Sequence, residues 1–205
     1  PANATPALKV SFANASSSGS EPNGGADGFT VKLSDTNGQS VDFNLSATAS
    51  ARSAASVSVQ SGGTGYAVGE VIENNNLNGD NLQLEVTSVN NGAVDGVNIT
   101  NAGSGYTSAP GPTDFNTIDG NGTGAEFSVT LQSSGDDYTL GSNPFTVSAN
   151  SPDVTLDASD LSFNNDNIPE NTEQVTLTLS SPSTSNTTPV LGGQTTHTVD
   201  IQDDD

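Results

Sequence analysis

The sequence predicts an all-β protein, and three observations carry that prediction. Apolar and polar residues alternate in short blocks along the whole chain, and Gly, Asn, Pro and Ser bound each block. Almost no stretch carries apolar residues at helical spacing, and Ser and Thr interrupt the Ala-containing segment 47–55 too often to predict a helix. The spacing of the blocks is typical of a β-sandwich, whose inner faces need only alternate residues to be apolar.

Taken in chain order, the alternating blocks predict the strands Leu8–Phe12, Phe29–Leu33, Val41–Leu45, Val57–Val59, Leu82–Val89, Val94–Ile99, Phe127–Leu131, Phe145–Val147, Val175–Leu179 and His197–Ile201. The core they form must be thin, because hydrophobic residues make up 31% of the 205-residue chain. A sandwich suits such a composition. We expect His197, the single histidine, to occupy a surface position on the last strand.

The charge balance excludes two classes of partner. The chain has 24 Asp and Glu against 3 Lys and Arg, which gives a formal net charge of -21. Nucleic acids and anionic membranes bind through Lys and Arg, so we expect neither, and no apolar run is long enough for direct membrane insertion. Carboxylates without lysine partners favour a dissolved cation instead, of which Ca²⁺ is the obvious candidate. With no Cys, disulfides and thiolate metal sites are impossible.

Residues 57–131 contain an internal duplication. The segment VSVQSGGTGYAVGEVI matches VNITNAGSGYTSAPGP, and LQLEVTSV matches AEFSVTL. In each GxGY turn we expect the glycines (Gly63, Gly65, Gly103, Gly105) to take positive φ while Tyr66 or Tyr106 covers the turn. A phosphate-binding role is disfavoured, since no Lys and no helix start follows. Sugar stacking on Tyr66 and Tyr106 stays open as an alternative to this structural role.

Two oxygen-rich acidic clusters stand out. One contains Asn165, Asp166, Ile168, Glu170 and Glu173, and the other is the run Asp203, Asp204 and Asp205 after the last predicted strand. Two carboxylates about 4 Å apart repel by roughly 4 kcal/mol at an effective dielectric constant of 20, so packing several together in a folded domain requires a cation. The backbone carbonyl of Ile168 adds a neutral oxygen, and Ca²⁺ takes six to eight such ligands. The clusters therefore predict calcium binding.

Four stretches of the chain resemble the Calx-β family, a family of calcium-binding β-sandwich modules. LKVSFANASSSGSEPNGGADGFTVKLSD resembles its first strands, GDDYTL its GxDY turn, NDNIPENTEQVTLTLSSPS its DxxxxExxExFxxxLxxP block, and HTVDIQDDD its terminal TVxIxDDD strand. The resemblance implies an immunoglobulin-like Calx-β sandwich from residues 1–50 and 134–205. It also implies that residues 51–133 form an inserted, duplicated β-module, whose GxGY units resemble repeats of phage and bacterial surface proteins.

The resemblance further implies a set of calcium ligands. By position these are Glu21, Asp137, Asp166, the carbonyl of Ile168, Glu170, Glu173, Asp203, Asp204 and Asp205. Asn165 stands where exchanger-type domains have another Asp, which alters one subsite. The segment Asp114–Glu126 looks superficially like a calcium loop, but its Gly and Glu each fall one place late for an EF-hand and no flanking helices are predicted.

We expect no enzymatic activity, because neither a nucleophile-elbow motif nor a Trp to line a sugar cleft is present. The sequence instead predicts a calcium-binding structural or adhesive module of an extracellular or cell-surface protein. Its expected partners are neighbouring domains or copies of the same protein. Alternatives are a module that binds cell-surface glycans through the GxGY repeats, or a self-assembling surface-layer or filament subunit. Because the chain begins at Pro1, we expect a processed product or a segment.

Overall fold

The computed structural model describes residues 7–21, 24–35, 38–49, 52–74, 79, 81–133 and 137–205. The all-β prediction is confirmed, since these residues form strands, turns and loops but no α-helix. Among them, no helix has the length and apolar character needed to cross a membrane. The strands are β1 (Lys9–Phe12), β2 (Ser16–Ser20), β3 (Gly25–Ala26), β4 (Phe29–Leu33), β5 (Val41–Ala49), β6 (Ala54–Thr64), β7 (Val71–Asn74), β8 (Gln83–Asn90), β9 (Ala93–Asn101), β10 (Phe115–Asp119), β11 (Thr123–Leu131), β12 (Tyr138–Leu140), β13 (Phe145–Val147), β14 (Asp153–Leu156), β15 (Leu161–Phe163), β16 (Glu173–Ser183), β17 (Val190–Leu191) and β18 (Thr196–Gln202).

The chain divides into two compact units. The first comprises residues 1–49, 137–165 and 174–202, and the second comprises residues 50–136, 166–173 and 203–205. The acidic segment 166–173 and the final aspartates, which the sequence analysis assigned to the sandwich, group with the second unit. Apart from Asn165, which belongs to the first unit, both acidic clusters therefore share a unit with the duplicated segment.

The first unit contains two larger sheets and one strand pair. One sheet has the order β13-β5-β16-β18-β2-β3, the other has the order β14-β4-β1-β17, and β12 pairs with β15. Period-two alternation buries one face of each long strand: Val41, Phe43 and Leu45 of β5 are at most 2% exposed. Together with their counterparts on other strands of both sheets they form one apolar cluster, the core of a β-sandwich.

His197 lies in that core, so the prediction of a surface position is wrong. It is 1% exposed, and its ring centroid lies 5.2 Å from that of Phe12 and 5.1 Å from that of Phe29. Nδ1 donates a hydrogen bond to the Asn14 carbonyl at 2.9 Å, and Nε2 lies 2.8 Å from the Ser17 hydroxyl. Both ring nitrogens therefore have partners, which is the condition under which a polar side chain is tolerated in an apolar core.

The second unit has its own sheets and its own core. Strands β10-β7-β8-β9 form a four-stranded sheet, and β6 pairs with β11 along nearly its whole length, from Thr64 opposite Thr123 to Ala54 opposite Leu131. Their inward residues form a second apolar cluster that includes Ile72, Leu84 and Phe127. The duplication is visible in this topology, because β6–β8 and β9–β11 are the matching halves, and β6–β11 corresponds to β9–β8.

The predicted backbone of the GxGY turns is confirmed. Gly63 and Gly65 have φ of 59° and 80°, and Gly103 and Gly105 have φ of 70° and 79°. These are left-handed conformations that glycine adopts without the steric penalty of a Cβ. Each turn can therefore place the tyrosine that follows it over the opposite half of the duplication.

Tyr66, from the first half, packs onto the second half. A Cβ built on Gly122 would lie only 2.1 Å from the Tyr66 ring, so only glycine leaves room for this contact. The Tyr66 hydroxyl accepts a hydrogen bond from the backbone N–H of Ala125 at 3.3 Å. Tyr66 is 6% exposed.

Tyr106, from the second half, makes the reciprocal contact with the first half. A Cβ on Gly79 would lie 2.2 Å from its ring, and its hydroxyl accepts a hydrogen bond from the N–H of Leu82 at 3.3 Å. Asn74 Nδ2 donates a second hydrogen bond to the same hydroxyl at 3.1 Å. The two halves therefore exchange their tyrosines, and each ring fills a gap that the other half leaves open.

Candidate metal site

The acidic loop of the second unit, residues 166–173, is held by hydrogen bonds within that unit. Asp166 Oδ1 accepts a hydrogen bond from the N–H of Ile168 at 2.7 Å, which closes an Asx turn. Pro169, whose ring fixes φ, offers its carbonyl to the N–H of Ala102 at 2.6 Å. Asn101 Nδ2 donates to Asn171 Oδ1 at 3.4 Å. The loop is thus tied to the end of β9 on both sides of Glu170.

Glu170 is the centre of a group of carboxylates within this unit. One of its carboxylate oxygens lies within 4.8 Å of an oxygen of Glu173, and one lies within 4.8 Å of an oxygen of Asp203. Glu173 is 5% exposed, so water screens the negative charge of its carboxylate poorly. The structure therefore brings together acidic residues that lie about thirty positions apart in the chain.

Asp203 provides the most informative contacts of the group. Its Oδ2 accepts a hydrogen bond from the backbone N–H of Glu170 at 3.0 Å, which fixes the orientation of the carboxylate. Its Oδ1 is buried and has no hydrogen-bond partner among the residues that the structure describes. A buried carboxylate oxygen without a partner is costly, and an oxygen-binding cation at this point would satisfy it. The residues present fit an oxygen-binding metal.

The run Asp203, Asp204 and Asp205 places three carboxylates next to one another at the end of the sequence. Asp204 and Asp205 are exposed. Loss of hydration raises the pKa of the Asp205 carboxyl, and the charges of Asp204, Asp203 and Asp166 raise it further. With 3 Lys and Arg for 24 Asp and Glu, the sequence cannot supply enough basic partners to neutralise such clusters.

Two buried polar residues beneath the loop were missed by the sequence analysis. Ser53 is 0% exposed and Gln132 is 4% exposed. The Ser53 hydroxyl contacts both Gln132 Oε1 and Glu170 Oε1, the latter at 2.6 Å. Gln132 Nε2 donates to Asp166 Oδ2 at 3.5 Å. These residues contact two of the predicted ligands, Glu170 and Asp166, and no motif marks them in the sequence.

The remaining predicted ligands, Glu21 and Asp137, belong to the first unit. Glu21 is 4% exposed and follows β2, where its carbonyl accepts a hydrogen bond from the N–H of Gly24 at 2.8 Å. Asp137 is 5% exposed and precedes β12, and its carbonyl accepts a hydrogen bond from Asn164 N–H at 3.0 Å. Asp and Glu side chains are rarely buried to this extent in the loops of a sandwich. Their assignment as calcium ligands stays a prediction, as does that of the Ile168 carbonyl.

The burial of Tyr66 and Tyr106 bears on the glycan alternative. With 6% and 1% exposure, neither ring presents an open face on which a sugar could stack, and both hydroxyls are engaged within the unit. The structural role in the turn therefore accounts for both tyrosines. The segment Asp114–Glu126 forms β10, a turn and the start of β11; there, Asp119 Oδ1 accepts a hydrogen bond from the N–H of Val71 at 2.6 Å.

Comparison with known proteins gives structural likenesses but no match in sequence. No protein-family model matches the chain, and no curated protein matches it either. Among solved structures, the crystal structure of the apo-form Calx CBD1 domain is similar, at 11% sequence identity and a TM-score of 0.44. The match covers 98% of this chain and 100% of that one. A likeness at this level does not establish a family, so the resemblance to Calx-β modules seen in the sequence remains a prediction.

Proposed function

We propose that the protein is a calcium-binding structural module, and that residues 166–173 and Asp203 form the centre of its site. The observation that carries the proposal is the arrangement of Asp203, whose Oδ2 is fixed by the backbone of Glu170 while Oδ1 is buried without a partner. Glu170 and Glu173 supply further carboxylate oxygens at close range. A cation at Oδ1 satisfies the orphaned oxygen and relieves the repulsion at the same time.

The chemistry of the ligands favours Ca²⁺ over other metals. All candidate ligands are oxygens. Zinc and copper prefer sulfur and imidazole ligands, so this set disfavours both metals. The chain has no Cys, and its single His is enclosed by Phe12 and Phe29 in the core of the first unit. Ca²⁺ accepts an irregular set of six to eight oxygens, whereas Mg²⁺ demands a near-octahedral set and keeps its waters. Glu21, Asp137, Asp166, Asp204, Asp205 and the Ile168 carbonyl are the further ligands that the sequence resemblance implies.

Bound calcium would make the acidic loop and the final aspartates more rigid. In its absence, the loop and the final aspartates repel one another; with calcium bound, the same carboxylates hold the loop and the end of the chain together. Extracellular modules bind calcium with dissociation constants of about 10⁻⁴ to 10⁻³ M, so that about 1 mM calcium outside the cell occupies roughly half to nine-tenths of such sites. The proposal therefore includes an extracellular or cell-surface location, where calcium reaches that concentration, with neighbouring domains or further copies as partners.

Isothermal titration calorimetry of the full chain with CaCl₂ tests the proposal. We expect saturable binding that Asp203→Asn and Glu173→Gln weaken by at least about tenfold each, as the loss of one charged ligand does. Asp95→Asn, which alters an exposed carboxylate on β9, is the matched control and should bind like the unaltered protein. Binding that is absent, or that is equal in all four proteins, would contradict the proposal. Glu21→Gln and Asp137→Asn then test the ligands that the resemblance adds.

A further inference from the structure

The turn between β10 and β11 brings carboxylates from two parts of the second unit together. The turn begins at Asp119, where β10 ends opposite Val71, the first residue of β7. Asp119 Oδ1 accepts a hydrogen bond from the N–H of Val71 at 2.6 Å. Glu70 precedes Val71, and its Oε1 accepts a hydrogen bond from the N–H of Asn121 at 3.3 Å. Both carboxylates are therefore held at the same turn.

The carboxylate of Glu70 has one oxygen that these contacts do not satisfy. Its Oε2 is buried and has no hydrogen-bond partner among the residues that the structure describes. The carboxylate packs directly on the backbone of the turn, because a Cβ built on Gly120 would lie 2.2 Å from Glu70 Cδ and 2.4 Å from Oε1. Oε2 has thus lost its hydration without gaining a protein donor in return, which is the situation that a bound cation relieves.

The sequence of the turn contains the first half of a calcium loop. Counted from Asp119, residues 119–124 read DGNGTG, which matches the D-x-[DN]-x-[DN]-G start of such loops except for Thr at the fifth place. In these loops the first, third and fifth residues each offer a side-chain oxygen, and the glycine at the sixth place makes a sharp turn. Gly124 occupies that place and has φ of 74°, a left-handed conformation that suits glycine. The agreement is lost when the loop is counted from Asp114.

We propose that this turn binds a second calcium ion, separate from the candidate metal site. Its ligands are side-chain oxygens of Glu70, Asp119, Asn121 and Thr123. Glu70 takes the place of the glutamate that closes an EF-hand loop from its twelfth position. After the turn the chain continues along β11 instead of entering a helix, so the closing carboxylate has to come from another strand. The ion would satisfy Glu70 Oε2 and neutralise both carboxylates.

The surroundings of the turn favour a dissolved cation over a basic side chain. The chain has three basic residues, and two of them, Lys9 and Lys32, belong to the first unit. The third, Arg52, donates a hydrogen bond to the carbonyl of Thr107. Ca²⁺ accepts a mixed set of carboxylate and neutral oxygens and completes its coordination with water. Residues 120–124 also line a cavity of about 370 Å³, which gives the ion and its water molecules room to enter.

The duplicated segment offers one such site rather than two. In the match between its halves, Glu70 corresponds to Pro110, which has no side-chain oxygen. The ligands come from both halves, since Glu70 precedes β7 in the first half and Asp119 ends β10 in the second. An ion at the turn would therefore join the two halves, and it should add one calcium ion to those held at the candidate metal site.

Terbium luminescence of the full chain tests the inference. Tb³⁺ replaces Ca²⁺ at oxygen sites, and it emits strongly when a nearby aromatic ring transfers excitation energy to it. Tyr66 packs on Gly122 within the turn, so the part of the tyrosine-excited emission that Tyr66→Phe removes reports on this site. We expect excess CaCl₂ to displace that emission. Glu70→Gln and Asp119→Asn keep their hydrogen-bond acceptors and should each weaken the binding by at least about tenfold.

Two control variants complete the test. Asp95→Asn alters an exposed carboxylate on β9 and should leave the Tyr66-dependent emission unchanged. Asp203→Asn should also leave it unchanged while it weakens calcium binding at the candidate metal site, so failure of one site is distinguishable from failure of the other. The inference is overturned if Tyr66→Phe has no effect on the emission, or if Glu70→Gln binds as tightly as the unaltered protein. Loss of the Tyr66-dependent emission in Asp203→Asn would assign the ion to the acidic loop and overturn it as well.

Discussion

Asp203→Asn provides the sharpest test of the acidic site because its effect on stability should depend on calcium. The substitution removes one negative charge while the amide oxygen can still accept the hydrogen bond from Glu170 N–H. In calcium-free protein this charge destabilises the folded state, since it repels Glu170. In calcium-loaded protein the same charge is a ligand. The variant should therefore be more stable than the unaltered protein in EDTA, and should gain less from calcium.

The magnitudes follow from the geometry. Unit charges at 4.8 Å, the upper limit of the separation between Glu170 and Asp203 oxygens, repel by about 3.5 kcal/mol at an effective dielectric constant of about 20. Solvent screening of the partly exposed Asp203, and the weaker hydrogen bond of a neutral acceptor, reduce the net gain to about 1–2 kcal/mol. Saturation of the unaltered protein by about 10 mM calcium adds roughly 1.4–2.7 kcal/mol for the affinities expected of extracellular modules. A tenfold weaker site loses about 1 kcal/mol of that gain.

Thermal unfolding followed by calorimetry, in EDTA and in calcium, measures both effects. For a chain of this size, about 1 kcal/mol corresponds to a shift of about 2–4 °C in Tm. Asp95→Asn serves as the control for a change of net charge at an exposed site of the same unit. If Asp203→Asn lowers Tm in EDTA and leaves the gain from calcium unchanged, neither the repulsion nor the ligand role exists, and the reasoning fails.

Three other outcomes are expected. Calcium affinity should fall as the pH is lowered toward the range in which carboxyl groups titrate, because the pKa of Asp205 is raised and a proton on this carboxyl competes with the metal. In EDTA, the raised pKa means that the folded protein binds this proton more tightly than the unfolded chain does, so acidification stabilises the fold at this group. Calorimetric titration at several pH values measures the first effect, and pH-independent affinity would contradict it. Tyr106→Phe removes the acceptor of two buried hydrogen bonds and should cost about 2–4 kcal/mol, whereas Tyr66→Phe removes the acceptor of one and should cost about 1–2 kcal/mol. Denaturant unfolding ranks the two variants, and equal losses would refute the assignment. His197→Phe keeps the ring contacts but leaves the Asn14 carbonyl and the Ser17 hydroxyl unpaired, so a loss of about 1–3 kcal/mol is expected in the same assay, and an unchanged midpoint would show that the two hydrogen bonds contribute nothing.

The long strands could be predicted from the sequence, and the short ones could not. Segments such as Val41–Leu45 and Val175–Leu179 alternate over enough residues to show one buried face, and each lies within a strand of the structure. Strand β2 consists of Ser and Gly, and β3 and β17 have two residues each, so none of them shows an alternation of apolar and polar residues. These strands depend on hydrogen bonds to neighbours that are distant in sequence, as in the parallel pairing of β2 with β18.

His197 shows a second limit of pattern reading. Its position in the alternation of β18 is the same as that of Val199 and Ile201, which are buried, so the pattern alone placed it inward. The preference of His for the surface overrode the pattern in our prediction. What decides the matter is the availability of the Asn14 carbonyl and the Ser17 hydroxyl as partners, and no local sequence signal carries that information.

The candidate site also contains residues that the sequence could predict and residues that it could not. Its acidic residues could be identified in advance because carboxylates without lysines are conspicuous in the sequence, and because four stretches resemble a known family. Ser53 and Gln132 could not, since their importance arises only when the end of one strand meets the start of another beneath the acidic loop. Charge is visible in composition, whereas a buried hydrogen-bond network is visible only in three dimensions.

The duplicated segment illustrates why even a recognised repeat leaves its packing undetermined. The match of the two GxGY turns indicates equal local backbones, and it is equally compatible with each tyrosine covering its own half or the other. In the structure each ring crosses to the partner half, where Gly122 or Gly79 lacks the Cβ that would exclude it. A single half would therefore leave one tyrosine exposed and one glycine gap empty, so the two halves must fold together, and the ladder of β6 with β11 that closes the segment forms only when both are complete.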